Sequence, residues 1–226
     1  MSPEGPTHGL AGRQPRPDPD GGAPEAGSPG AMLVIVSGPS GVGKDTVIEA
    51  LRRRPAAAEY HYVVTCTTRP RRPYEVDGVH YHFMDPDTFI HLREAGGLLE
   101  ANEVHGHWYG TPRSEVRRAL KAGADVILKI DVQGAAVVKQ KVPEALLVFI
   151  VPPSLEDLFG RLQARATETA DELDIRQRDA ALELARQDDF DHVVTNETGQ
   201  VERTAKRIDA IIRTEKAAHP DRRTRV

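Results

Sequence analysis

The sequence predicts an α/β domain with a parallel sheet flanked by helices, interrupted by a smaller inserted domain. Three observations carry that prediction. From residue 32 onward short apolar runs alternate with helical patterns, the rhythm of parallel strands joined by crossover helices. Gly38-Pro39-Ser40-Gly41-Val42-Gly43-Lys44 falls between the first apolar run and the first helical pattern, as a glycine-rich turn from strand to helix. Between residues 67 and 112 the rhythm gives way to a stretch rich in Arg, His, Tyr and Gly, with only short apolar pieces.

Met32 to Val36 is apolar and rich in β-branched residues, so it opens the sheet as a buried strand. Val47, Ile48 and Leu51 then recur at helical spacing until Pro55 stops the pattern. Further strands are expected near 61–66, 126–131, 145–151 and 192–195. Helices are expected near 43–54, 114–122, 133–141, 154–165, 171–188 and 201–213. The domain of 32–215 thus has a core of 32–64, 113–158 and 190–215, an insert of 65–112 and a helical segment of 159–189. The first 30 residues hold 7 of the 19 glycines and 7 of the 17 prolines, with Leu10 their one large aliphatic residue. Such a segment buries too little apolar surface to offset its chain entropy. Residues 1–31 are therefore expected to be a disordered tail, with Met32 a candidate start of translation, and 216–226 a frayed C-terminus.

Composition narrows the function. The 226 residues carry a formal net charge of −4, which gives no broad basic field for nucleic acid. Cys66 is the only cysteine, so no intrachain disulfide forms and a reducing cytoplasm fits. No apolar run reaches the roughly 18 residues of a membrane helix, and the N-terminal stretch lacks the basic start and apolar middle of a signal peptide.

The glycine-rich turn matches G-x-x-x-x-G-K, whose backbone N–H groups converge on phosphate oxygens at a helix N-terminus. Gly38, Pro39, Ser40, Gly41, Val42, Gly43 and Lys44 are therefore expected to hold ATP, with Lys44 reaching the β- and γ-phosphates. The next residue is Asp45 in place of the usual Ser or Thr hydroxyl; Asp45 and Thr46 are the candidates to help hold Mg²⁺. Val126 to Asp131 reads as an apolar strand ending in an acid, with Ile127, Lys129 and Asp131 on one face. Asp131 is the expected second Mg²⁺ ligand; the bland alternative is an acid that starts the turn towards Gly134.

Thr67-Thr68-Arg69-Pro70-Arg71-Arg72-Pro73 concentrates three arginines where prolines prevent a helix, which suits bidentate capture of phosphate. Together with GPSGVGK, the segments TTRPRRPYEVDGVHYHF (67–83), the Glu100 stretch, WYGT (108–111), KIDVQGA (129–135), PPSLEDL (152–158) and RATET (165–169) resemble guanylate kinase, in order, over about 32–213. The resemblance implies a P-loop kinase core, an inserted GMP-binding subdomain and a helical lid. It implies transfer of the γ-phosphoryl of MgATP to GMP, and by extension dGMP, in purine nucleotide metabolism. It places Arg69, Arg72, Tyr81 and Tyr109 on the GMP phosphate, and Glu100, Thr65 and Thr111 on the base. It places Arg165 and Arg176 as lid cations on ATP, and Asn196 near the adenine. Arg161 shares a helix face with Arg165 and is a weaker candidate.

Two further departures matter. Lys129 stands where the family commonly has an acid, and could pair with Asp131 or approach a phosphate or the base carbonyl. Ala166 replaces a common lid glycine. His80/His82 and His105/His107 have metal-like spacing but no third ligand, so they are expected to be strand or turn residues. Cys66 and Trp108 are expected to pack. The alternatives are a related kinase for a sugar phosphate such as ribose 1,5-bisphosphate, in which Glu100 would be idle, and a non-catalytic phosphopeptide-binding module.

Overall fold

A computed structural model describes residues 26–55, 59–104, 106–163 and 170–226, with the side chains of 170–172 excepted. The chain divides into two units, one of residues 64–115 and one whose described part comprises 26–63 and 116–226.

The larger unit is organised by a five-stranded sheet of β1 (Leu33–Ser37), β2 (Tyr60–Tyr62), β7 (Asp125–Lys129), β8 (Leu146–Val151) and β9 (His192–Thr195). The order is β2-β7-β1-β8-β9 and every pairing is parallel. The central strand β1 is buried along its whole length, as an apolar run covered on both faces requires. Val34 and Val36 pack with Val47, Ile48 and Leu51 of α1 (Lys44–Arg52) and with Ile208 and Ile212 of α7 (Val201–Ala218). Each such fully buried side chain contributes roughly 1.5–3 kcal/mol. α3 (Arg113–Lys121), α4 (Val132–Lys141), α5 (Leu155–Gln163) and α6 (Ala170–Leu184) complete the helices.

β7 ends at Lys129, so Asp131 does not continue the strand face expected of it. Its carboxylate instead accepts from the Gly134 amide at 2.8 Å and caps α4. An N-cap satisfies a helix donor that the strand could not, and that local bond wins.

The expected tails also need correction where they are described. Ala26 bridges Arg225, Gly27 N donates to Thr224 O at 2.8 Å, and Thr224 Oγ1 donates to Ala31 O at 3.0 Å. Thr224 and Val226 are buried, and α7 runs on to Ala218. Composition pointed elsewhere because this docking uses backbone bonds and small residues instead of large apolar ones. A Cβ on Gly27 would come within 3.0 Å of Leu120.

Asp209 ties α7 to the sheet edge. It accepts from Tyr60 Oη at 2.7 Å, Arg54 Nη2 at 3.1 Å and Arg213 Nε at 3.4 Å. Burial raises its pKa, but Tyr60, Arg54 and Arg213 together outweigh that and hold it below the usual carboxylate value. Its stabilisation is therefore present above the unfolded pKa of about 3.9 and fades as pH falls through the lower folded value. We expect Asp209→Ala to cost about 2–3 kcal/mol at pH 7. Denaturant titrations at pH 7 and pH 3 should show that gap narrowing in acid; an equal gap at both would remove the carboxylate charge from the account.

The smaller unit holds a four-stranded sheet of β3 (Cys66–Thr67), β4 (His82–Phe83), β5 (Leu98–Val104) and β6 (His107–Pro112), in the order β4-β3-β6-β5. β5 and β6 pair antiparallel, and Gly106, just before β6, has a φ of 76°. α2 (Pro86–Glu94) starts where Asp85 accepts from the Thr88 amide and Pro86 takes a first-turn position. Cys66, Met84, Phe89, Leu92 and Leu98 form its core, with Trp108 stacked on Phe89 at 5.8 Å. His80 Nδ1 accepts from the Val76 amide, a turn role; His105 lies outside the described residues.

Candidate active site

The phosphate loop leaves the end of β1 and enters α1 at Lys44. Gly38 adopts a φ of 147°, and a Cβ there would lie 2.3 Å from the Ile150 carbonyl oxygen, so only glycine fits. Gly43 caps α1 in a left-handed conformation and contributes no side-chain cap bond. The first turn therefore presents backbone donors and the positive end of the helix to an anion.

Asn196 and Arg161 brace this loop. Asn196 Nδ2 donates to Val42 O at 2.8 Å, and its Oδ1 accepts from Thr204 Oγ1 at 3.2 Å. Each end of the buried amide thus makes a bond to the scaffold behind the loop. Arg161 Nη1 donates to Val42 O at 3.0 Å, while Nη2 reaches Asn196 O and Thr198 Oγ1. Arg165, with Ala166 and the Thr167–Thr169 break, lies outside the described residues.

Lys44 Nζ donates to Gly38 O at 2.6 Å and Pro39 O at 3.0 Å. Burial lowers its pKa, and the negative charges of Glu183, Asp45 and Asp131 oppose that without cancelling it. Arg176 Nη2 donates to Ser40 Oγ at 3.2 Å, which brings this expected lid cation to the loop. Sequence reasoning missed Glu183. Its Oε2 accepts from the Ser40 amide at 2.8 Å, and burial raises its pKa against the opposing Ser40 amide and Lys44. A signal existed: Glu183 follows Arg176 by seven residues on α6, two helical turns along one face.

The Lys129 ammonium bonds the Asp45 carboxylate, a partner that the sequence did not suggest. Asp45, Thr46 and Asp131 offer hard oxygen donors to a cation. Among the described residues no group of three or more His, Cys, Asp or Glu could hold a metal by protein ligands alone. A cation here would take most of its ligands from phosphate and water, a donor set that suits Mg²⁺.

The smaller unit carries a second constellation. Glu75 is buried, and its carboxylate accepts from Arg69 Nη2 at 2.7 Å and from the Arg72 amide at 2.8 Å. Burial raises the Glu75 pKa, and these two bonds more than reverse the shift. The Arg69 guanidinium lies 5.7 Å from the Tyr81 ring centre, and Tyr81 meets Tyr109 edge to face at 6.0 Å. Arg72 stays mostly open to solvent. Glu100 is 3% exposed; Thr111 Oγ1 donates to its Oε1 at 2.6 Å and Asn102 Nδ2 to its Oε2 at 2.8 Å. Asn102 was not foreseen, though its place two residues from Glu100 on β5 puts it on the same face. Thr65 is buried beside β3, its carbonyl accepting from the His82 amide.

Glu75 thus fixes the Arg69 guanidinium through an ion pair. Glu75→Gln should raise KM for a phosphate-bearing acceptor by roughly fivefold to twentyfold with a smaller change in kcat. Steady-state kinetics with the acceptor varied would check this; an unchanged KM would leave Glu75 a purely structural acid.

A family model described as guanylate kinase matches residues 30–215. The guanylate kinase of Mycobacterium bovis is 48% identical over 174 residues, covering 75% of this chain and 83% of that protein. That of Chelativorans sp. is 40% identical over 205 residues, covering 88% and 92%. The crystal structure of guanylate kinase from Anaplasma phagocytophilum matches with a TM-score of 0.68 at 30% identity, over 85% of this chain and 89% of that one.

Proposed function

The chain belongs to the guanylate kinase family, and from that premise we infer that it transfers the γ-phosphoryl group of ATP to GMP, giving ADP and GDP. The observation that carries the acceptor is Glu100, a buried carboxylate oriented by Thr111 and Asn102 in the unit that also holds Arg69, Tyr81 and Tyr109. Guanine presents N1–H and N2–H₂ on one edge, and a carboxylate can accept from both. Adenine presents a lone pair at N1 and no 2-amino group, so the same carboxylate would face it unpaired. A sugar phosphate has no base edge to donate to Glu100.

The chemistry requires little from the protein beyond alignment and positive charge. An oxygen of the GMP phosphate forms a bond to the γ-phosphorus as the bond from that phosphorus to the bridging oxygen breaks, leaving its electron pair on ADP. Arg69 and Arg72 hold the acceptor phosphate, and the Tyr81 and Tyr109 hydroxyls donate to it. The loop amides hold the polyphosphate, and Lys44 and Arg176 neutralise the charge that develops as the leaving group departs. Asp131 and Thr46, with Asp45, would hold Mg²⁺, which when bound screens the β- and γ-phosphates. The test is ADP release from MgATP with GMP, AMP, UMP or ribose 1,5-bisphosphate as acceptor. Rapid turnover with GMP alone is the expected result; turnover with the sugar phosphate in its place would overturn the reading of Glu100.

A further inference from the structure

Asp45 stands where a phosphate loop ordinarily has a Ser or Thr hydroxyl, and its carboxylate bonds Lys129. The topology explains how they meet. β1 and β7 are parallel neighbours with Val36 opposite Lys129, so the end of β7 comes level with the start of the loop that leads into α1. Asp45 is the second residue of α1, one position after Lys44.

A bare carboxylate here presents a problem. A triphosphate carries several negative charges, and a fixed negative charge beside the loop repels them where solvent is being displaced. A bare second ammonium beside Lys44, the residue preceding Asp45, would set two cations side by side; the bond between Asp45 and Lys129 pairs each charge with its opposite.

We propose that Asp45 and Lys129 act as one unit at the mouth of the phosphate loop, with Lys129 the positioning residue that neutralises and orients the Asp45 carboxylate so that ATP can bind beside it. The side chains differ in exposure, 72% for Asp45 and 22% for Lys129, so Lys129 is the anchored member and Asp45 the one facing incoming phosphate. An ordinary surface ion pair contributes little to folding. This pair acts on ligand affinity instead, since its partner charge arrives only with the nucleotide. The proposal rests on the loop being the ATP site.

The test is calorimetric titration of the full chain with ATP, both with Mg²⁺ and with chelator, alongside thermal melts to establish folding. Lys129→Ala should weaken ATP binding on the order of tenfold, and by more without Mg²⁺, because the exposed carboxylate then meets unscreened phosphate. Asp45→Ser in the Lys129→Ala background should bring Kd back to within about threefold of the unmodified chain, a coupling that independent residues do not show. A folded Lys129→Ala whose Kd stays within about twofold, or a double variant no better than it, overturns the pair while leaving the loop's role intact. Absence of ATP binding by the unmodified chain would overturn the ATP site itself, and the pair with it.

Discussion

Lys44→Met is expected to slow phosphoryl transfer by on the order of a thousandfold, equivalent to about 4 kcal/mol of transition-state stabilisation. The ammonium sits at the start of α1, beside Glu183, Asp45 and Asp131, with the loop carbonyls of Gly38 and Pro39 holding it in place. As the γ-phosphoryl leaves, negative charge builds on the ADP oxygens, and a fixed cation gains most at that moment. Methionine keeps the length of the stem and removes the charge. Methionine also removes the bonds to Gly38 O and Pro39 O, so folding has to be read alongside activity. Stopped-time assays at saturating ATP and GMP, with calorimetric melting of the same preparation, would separate the two effects. A kcat within tenfold of the unmodified chain would show that Lys44 is not the principal cation.

The phosphate loop was legible because its requirements are local. A strand end, a glycine that tolerates a φ of 147° against Ile150, and a helix start all lie within a dozen residues, and each leaves its own residue type in the sequence. The parallel sheet was legible for the same reason, since buried strands are apolar throughout. What escaped was either non-local or ambiguous by type. Glu183 reaches the Ser40 amide across 143 residues of chain, and Lys129 meets Asp45 across 84, distances over which no periodicity speaks. Asp131 could end a strand or cap a helix, and only the competition between those two bonds decided it. Asn196 and Arg161 show a third limit: residue type gave the capacity to bond, but not that both side chains would meet at the Val42 carbonyl. α2 was missed despite a clear signal. Asp85-Pro86-Asp87-Thr88 is a capped helix start, passed over because the surrounding stretch lacks apolar period.

Glu100→Ala should cripple GMP use and spare ATP affinity. The carboxylate is 3% exposed and accepts from Thr111 at Oε1 and from Asn102 at Oε2. A carboxylate oxygen can accept more than one hydrogen bond, so the guanine N1–H and N2–H₂ can be received by the carboxylate that Thr111 and Asn102 orient. Removing the carboxylate deletes two charge-assisted bonds and leaves Thr111 Oγ1 and Asn102 Nδ2 without their acceptor, a loss of about 2–4 kcal/mol. That corresponds to a fall in kcat/KM for GMP of roughly thirtyfold to a thousandfold. AMP should lose far less, because the carboxylate never helped it, so the GMP-to-AMP ratio should collapse with the rate. Asn102→Ala separates orientation from recognition: it keeps the charge and removes one orienting donor, so its effect on GMP should be nearer threefold to tenfold. Calorimetric ATP titration of both variants is the control for the phosphate loop. Unchanged GMP kinetics in a folded Glu100→Ala would remove base reading from Glu100 and leave the arginine and tyrosine side chains as the whole of acceptor recognition.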